Sequence, residues 1–355
     1  MAVNIEEDGG SILEMSDPVD PIFEVQGASV TFDMDRGETR VLDDVSFFVE
    51  RNETLGIVGE SGSGKSMCAS ALLNAVVEPG ILWGDVYYYP EDGDRINLME
   101  YSTEDLKDIW WNEIAMIVQS AQSAFNPTMT IRDHFIETLN AHGENVEEGL
   151  ERGVELLEDL YLNPGQVLDS HPHELSGGMK QRALVALGLV LEPGVLVMDE
   201  PTAALDLLMQ RSIITLLEEI KEKYEVTMVF VTHDLPVVAE LADRLAVMYA
   251  FEIVEVGPTE AIINDAAHPY TRALINSVPN IVAPVDEMKA IPGSSPDPIN
   301  IPEGCSYHRR CPISQEHCEV EDPEFYRVAD GHLSSCFYPE TAQSDIPLAL
   351  GVDHE

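Results

Sequence analysis

Residues 59–66, Gly-Glu-Ser-Gly-Ser-Gly-Lys-Ser, constrain this chain more than any other stretch. Glycine, four residues, then Gly-Lys-Ser is a pattern that works where a strand ends, the backbone turns tightly and a helix begins. The flanks supply both. Residues 55–58 are a short apolar run suited to a buried strand, and residues 69–77 are apolar and helix-compatible. In that setting the glycines let backbone N–H groups turn inward around phosphate oxygens, and the helix N-terminus adds partial positive charge. Lys65 then reaches the β- and γ-phosphates, and the Ser66 hydroxyl ligates Mg²⁺. Gly59, Glu60, Ser61, Gly62, Ser63, Gly64, Lys65 and Ser66 are therefore the expected nucleotide-binding residues.

The rest of the composition says what such a site is not used for. The chain carries 65 Asp and Glu against 19 Lys and Arg, a net charge of −46, and the acids run throughout its 355 residues. Non-specific binding to nucleic acid or an anionic membrane needs a basic surface, so neither fits. Self-repulsion on this scale is costly in dilute buffer, whereas near 1 M salt the screening length falls to roughly 3 Å. A salt-rich, halophilic cytoplasm is the expectation. Residues 1–20 are acidic and lack the basic and apolar regions of a signal sequence, and no apolar run is long enough to span a bilayer. A cytoplasmic protein is expected, with any membrane role coming through a partner.

Read along the chain, residues 1–21 are expected as an acidic flexible tail. Strands are expected over 23–32, 41–49 and 86–89, with a polar turn over 33–39 and a hairpin turn at 91–94. After a short strand at 114–118 the pattern turns helical, with helices over 131–139, 146–160 and 176–191 and a turn at Asn163-Pro164-Gly165. Apolar runs at 195–198 and 226–231 alternate with helices at 205–223 and 235–241, and residues 244–256 read as two strands. This alternation implies an α/β fold with a parallel sheet covered on both faces and a helical subdomain inserted over about 120–180. Residues 258–276 read as helical, and from 278 onward proline is dense and periodicity fades. A small separate module is expected over 259–345 and a tail over 346–355.

The strand at 195–198 runs into Asp199-Glu200. Following a phosphate loop, such a pair places Asp199 in the Mg²⁺ shell and lets Glu200 polarise a water for in-line attack on the γ-phosphate. Residues 175–181, Leu-Ser-Gly-Gly-Met-Lys-Gln, put two glycines at a helix start, with Ser176 as cap and hydroxyl donor. Alone, Ser-Gly-Gly is only a loop. Here it resembles the signature sequence of ATP-binding-cassette (ABC) ATPases. Gln119 matches their Q-loop, Ala204-Leu205-Asp206 their D-loop, and His233 in Val231-Thr232-His233-Asp234 their switch histidine. All stand in the family's order over roughly residues 22–258.

The resemblance implies a cassette with a RecA-like parallel core, an antiparallel β part and a helical subdomain. It implies that two cassettes dimerise head to tail, with each ATP held by one phosphate loop and the other chain's Ser176, Gly177 and Gly178. Gln119 would contact Mg²⁺ or the water and relay to the membrane subunit, Asp206 would serve in the D-loop, and His233 would contact the γ-phosphate. Phe32 is the candidate adenine-stacking aromatic, with core packing as its other reading.

Residues 268–274 (His-Pro-Tyr-Thr-Arg-Ala-Leu) closely resemble a segment of the dipeptide/oligopeptide and nickel importer ATPases. So do Ile291-Pro292-Gly293, Gly304-Cys305, Arg309-Arg310-Cys311-Pro312 and, after Gln119, Ser123-Ala124-Phe125-Asn126-Pro127. Cys305, Cys311, Cys318 and Cys336 are separated by five, six and seventeen residues, unlike a zinc ribbon, while Cys68 stands apart as a core residue. In the resembled family the corresponding cysteines can hold a [4Fe–4S] cluster, and four thiolates suit one. A zinc site, helped by His308, His317 or His332, and unligated thiols are the other readings. The resemblance thus implies the ATP-hydrolysing subunit of a peptide importer, peripheral on the cytoplasmic face of the membrane. Its expected partners are a second, related cassette (or a copy of itself), two integral permeases and, indirectly, a solute-binding protein. Nickel or oligosaccharide cargo, and a soluble non-transport ABC ATPase, are the alternatives.

Overall fold

The computed structural model describes residues 9–91, 93–119, 124–203, 205–278 and 291–348. Residues 1–8 and 349–355 of the expected tails, Asp92 of the expected hairpin turn, Ser123, Ala204 and residues 279–290 lie outside them. The chain divides into two compact units. One comprises Met1–Arg51, Leu55–Met99 and His233–Glu355; the other comprises Asn52–Thr54 and Glu100–Thr232.

The chain first builds an antiparallel sheet in the first unit. Strands β1 (Pro21–Met34) and β2 (Gly37–Glu50) pair from Phe23↔Val49 to Met34↔Gly37. The polar stretch 33–39 is therefore mostly strand rather than turn: Asp33 pairs with Glu38, and only Asp35 and Arg36 are left at the bend, with Gly37 at φ 127°. After β3 (Thr54–Val58) and helix α1 (Lys65–Leu72), strand β4 (Ile81–Tyr88) pairs with the other edge of β1, and β5 (Ile96–Asn97) with β4. Phe23, Val25, Val30, Leu42 and Val86 are buried on the shared face.

The second unit opens with α2 (Thr103–Leu106) and β6 (Ile114–Ile117). A helical run follows: α3 (Ile131–Ala141), α4 (Val146–Asp159), α5 (Pro164–Leu168) and α6 (Gly177–Leu189). Each start has a cap, by Thr130, Asn145, Asn163 and Ser176. Asn163-Pro164-Gly165 is thus a helix start rather than a plain turn, because Asn caps well and Pro suits the first helical position. Strands β7 (Val195–Asp199) and β8 (Thr227–Thr232), separated by α7 (Leu207–Tyr224), complete a parallel run β6–β7–β8. Every residue of β7 is buried. Burying each of its valine and leucine side chains contributes roughly 1.5–3 kcal/mol, which fixes the strand that ends at Asp199.

The chain then returns to the first unit through α8 (Leu235–Leu241). Strand β9 (Arg244–Tyr249) lies parallel to β3, from Leu55↔Arg244 to Val58↔Val247, and β10 (Glu252–Pro258) turns back against it. Helices α9 (Thr259–Asp265) and α10 (Pro269–Asn276) follow, then strands β11 (Tyr326–Ala329) and β12 (His332–Ser334) and helix α11 (Pro339–Asp345).

Two sequence expectations change here. The boundary at 258/259 is bridged, because β12 pairs with β10 and β11 with β12. The short, polar C-terminal strands carried no alternating apolar signal that would have revealed this. The expected N-terminal tail is packed from residue 9 onward: Gly10 bridges Phe325, Arg327 donates to the Met15 carbonyl, and Ile12 is 1% exposed. Its two buried apolar side chains, Ile12 and Met15, anchor it despite the acidic composition around them.

Candidate active site

The phosphate loop sits between β3 and α1 and is closed on itself. Lys65, only 5% exposed, donates from Nζ to the carbonyls of Gly59 and Glu60, both at 2.9 Å. Glycine is required at two points by close approach. A Cβ on Gly59 would lie 2.2 Å from the Met248 carbonyl oxygen, and one on Gly64, at φ 103°, 2.7 Å from that of Val41. Ser63 is buried, while Ser61, Gly62 and Ser66 face outward. Phe32, half-buried on β1, lies against Gly80, where a Cβ would come 2.7 Å from its ring. His233, between β8 and the Asp234 cap of α8, is exposed.

In the second unit Asp199 ends β7 buried, at 6% exposure. Glu200 follows at φ 46°, a conformation non-glycine residues seldom adopt and one that concentrates at functional sites. Its N–H is fixed on the Val231 carbonyl at 2.8 Å. Its Oε2 accepts from Gln119 Nε2 at 2.6 Å. Two residues 81 positions apart are thereby joined, and the hydrogen bond aims the carboxylate. Ser176 caps α6 through Met179 N–H, 3.3 Å away, and is otherwise exposed. Asp206 caps α7 by accepting from Leu208 and Met209 N–H. The signature and D-loop stretches are neighbours here: a Cβ on Gly177 would lie 3.7 Å from Leu205 and one on Gly178 3.4 Å from Met209.

The C-terminal cysteines converge. Cys305, Cys311, Cys318 and Cys336 line one small cavity with His268 and His308, and all five cysteines of the chain are unbridged. Burial pushes the thiols of Cys305 and Cys311 up to about 12 and about 11, each raised further by neighbouring cysteines. His332 is not at this cavity. It is 1% exposed and bonded through Nε2 to the buried Glu255 at 2.8 Å. His317 packs edge-to-face against Phe337 and Tyr338.

Sequence reading missed a set of contacts to the phosphate loop. Arg310 reaches both carboxylate oxygens of Glu60, and Tyr270 Oη accepts from the Glu60 N–H. Both residues lie in stretches singled out only by resemblance, and nothing in their spacing pointed at residue 60.

A strand–glycine loop–helix ending in Lys65-Ser66, an Asp-Glu pair at the end of a buried parallel strand, and a glutamine on the Glu200 carboxylate are the features of an ATP-hydrolysing cassette. The ABC transporter family model matches residues 42–203, and the model described as the oligopeptide/dipeptide transporter, C-terminal region, matches residues 254–318. The dipeptide transport ATP-binding protein DppD of Caldanaerobacter subterraneus subsp. tengcongensis is 42% identical over 323 residues, covering 90% of this chain and 98% of that protein. The oligopeptide transport ATP-binding protein OppD of Salmonella typhimurium is 36% identical over 324 residues, covering 91% and 95%. Among solved structures, the dimeric bacterial ABC transporter cassette MJ0796 is 25% identical with a TM-score of 0.58, covering 67% of this chain and 98% of that one. The chain belongs to the ATP-binding proteins of ABC transporters, in the oligopeptide/dipeptide group.

Proposed function

We infer that this chain binds and hydrolyses ATP to drive a membrane importer of dipeptides or oligopeptides. The observation that carries this is the likeness to DppD over 90% of the chain, cassette and C-terminal region together. Lys65 and the loop N–H groups hold the phosphates; Ser66, Asp199 and Gln119 would hold Mg²⁺, which would neutralise charge on the phosphate oxygens. Glu200, aimed by Gln119, takes the proton of a water that attacks the γ-phosphorus in line while the bond from that phosphorus to the β–γ bridging oxygen breaks and ADP leaves, and His233 steadies the γ-phosphate. Phe32 stacks on adenine. Ser176, Gly177, Gly178 and Asp206 act on ATP held by a second cassette. The exposed Leu207 and Leu208 beside Asp206, 75% and 81% exposed, support a surface that a partner covers. That partner is a related but distinct cassette, with a second copy of this chain as the lesser option.

Among the described residues no helix is long and apolar enough to cross a membrane. The reading assigns the channel to two permeases, contacted from the cytoplasmic face, and cargo delivery to a solute-binding protein. Reconstitution with permeases encoded beside this chain tests it: peptide-stimulated ATP hydrolysis is expected, and stimulation by nickel or oligosaccharide alone overturns the peptide assignment.

The same reading places a [4Fe–4S] cluster on Cys305, Cys311, Cys318 and Cys336, where it would tie the C-terminal segments together. Four thiols lining one cavity support it. Zinc on the same cysteines, helped by His308, is the other reading. Iron and acid-labile sulfide assays on anaerobically purified protein decide between them, and an iron-free sample overturns the cluster. The net charge of −46 supports a salt-rich working environment. Full stability in dilute buffer without ligand would defeat that.

A further inference from the structure

Glu60 is the second residue of the phosphate loop, yet its N–H and its carboxylate make their polar contacts with the C-terminal part of the chain. Its N–H donates to Tyr270 Oη at 2.8 Å. Its carboxylate accepts from Arg310 Nη1 at 2.7 Å and Nη2 at 3.0 Å, and from Ser295 Oγ at 3.1 Å. Only its carbonyl turns inward, to Lys65. Three separate C-terminal segments thus meet on one residue. The Arg310 side chain is 6% exposed, with Nε on the Pro292 carbonyl at 2.6 Å. Its guanidinium lies 5.5 Å from the Tyr249 ring centre and 5.7 Å from that of Tyr307. Tyr249, Tyr270 and Tyr307 pack on one another at 4.5–5.5 Å. A two-pronged, largely buried guanidinium–carboxylate pair is a specific and rigid contact.

We propose that Arg310 and Tyr270 are positioning residues for ATP: they brace the phosphate loop from outside through Glu60, and Arg310 neutralises a carboxylate that would otherwise repel the triphosphate. In this arrangement the Glu60 N–H is given to Tyr270 rather than to the triphosphate. The brace makes ATP affinity depend on the C-terminal segments, and Arg310 is the residue next to Cys311. The proposal rests on the chain binding ATP, which the wild-type protein tests separately: no binding there defeats that reading, not the brace.

Fluorescent-ATP titration of the full chain is the test. Arg310→Ala should weaken ATP binding about tenfold, because it leaves the largely buried Glu60 carboxylate without its cationic partner, with only Ser295 Oγ still donating to it. Arg310→Lys keeps the charge but loses the fork and should cost about threefold, and Tyr270→Phe, which keeps the ring packing, about twofold to threefold. The deciding variant is the double substitution Glu60→Ala/Arg310→Ala. If Arg310 acts through Glu60, removing the carboxylate as well restores affinity to within about twofold of Glu60→Ala alone. An arginine that merely holds the C-terminal segments together would not be rescued this way. A double variant as weak as Arg310→Ala, or Arg310→Lys and Tyr270→Phe both indistinguishable from wild type, overturns the proposal.

Discussion

The molecule carries two glycine-rich helix starts that look alike as sequence, Gly59–Ser66 and Ser176–Gly178, and the structure treats them oppositely. The first is finished. Lys65 is folded onto its own loop, Gly59 and Gly64 are wedged against backbone carbonyls, and Glu60 is gripped by Arg310, Ser295 and Tyr270. The second is bare. Ser176 is exposed, its hydroxyl occupied only by the N–H of its own helix, and its nearest supports are Leu205 and Met209. A helix N-terminus with inward N–H groups attracts anions in either case. The difference is that one is preorganised within this chain and the other presents its donors outward, as a half-site for a second chain's ATP would.

The largest effect expected lies with neither. Glu200→Gln keeps the Gln119 neighbourhood and the strained backbone but removes the base. Turnover measured by phosphate release should fall about a thousandfold, with ATP binding kept. Normal turnover would show that Glu200 is not the base. Lys65→Ala comes next and addresses the finished half. It removes charge-assisted contacts to phosphate and should weaken ATP binding by about a hundredfold in the chain alone. Ser176→Ala addresses the bare half. It should leave the affinity of the isolated chain for ATP unchanged and lower turnover about tenfold, only where two cassettes meet. If Ser176→Ala weakened ATP binding in the monomer as Lys65→Ala does, the contrast between the halves would collapse.

The sequence made the finished half legible because its chemistry is local: strand, loop, lysine and helix are contiguous, and each residue type has one use there. The buried strand ending at Asp199 was legible for the same reason. The Gln119–Glu200 bond was foreseen only as two separate motifs, since a pairing across 81 positions leaves no trace in spacing. The grip on Glu60 was invisible, because it joins residue 60 to residues 270, 295 and 310 through side chains on irregular segments. The continuation of the sheet into β12 and β11 was equally hidden. His332-Leu333-Ser334 is too short for an alternating pattern, and its partner β10 lies 77 residues upstream at the Val256↔Leu333 pair, with a proline-rich stretch between.

The smallest effect concerns how the bare half is held. Asp206 accepts two N–H bonds at the start of α7, from Leu208 at 3.1 Å and Met209 at 3.0 Å, and the Met209 sulfur faces Gly178. Replacing it with alanine removes the cap and should cost about 1 kcal/mol of stability. In a chain of this size that lowers the melting temperature by about 2–4 °C. Asp206→Asn keeps an acceptor oxygen and a good cap, so it should melt within about a degree of wild type. If Asp206 only caps α7, the asparagine variant also keeps wild-type turnover. If it acts across the dimer on the other chain's ATP, the asparagine variant melts normally yet turns over more slowly, at protein concentrations where cassettes pair. The two measurements together separate a residue that holds the half-site from one that belongs to it.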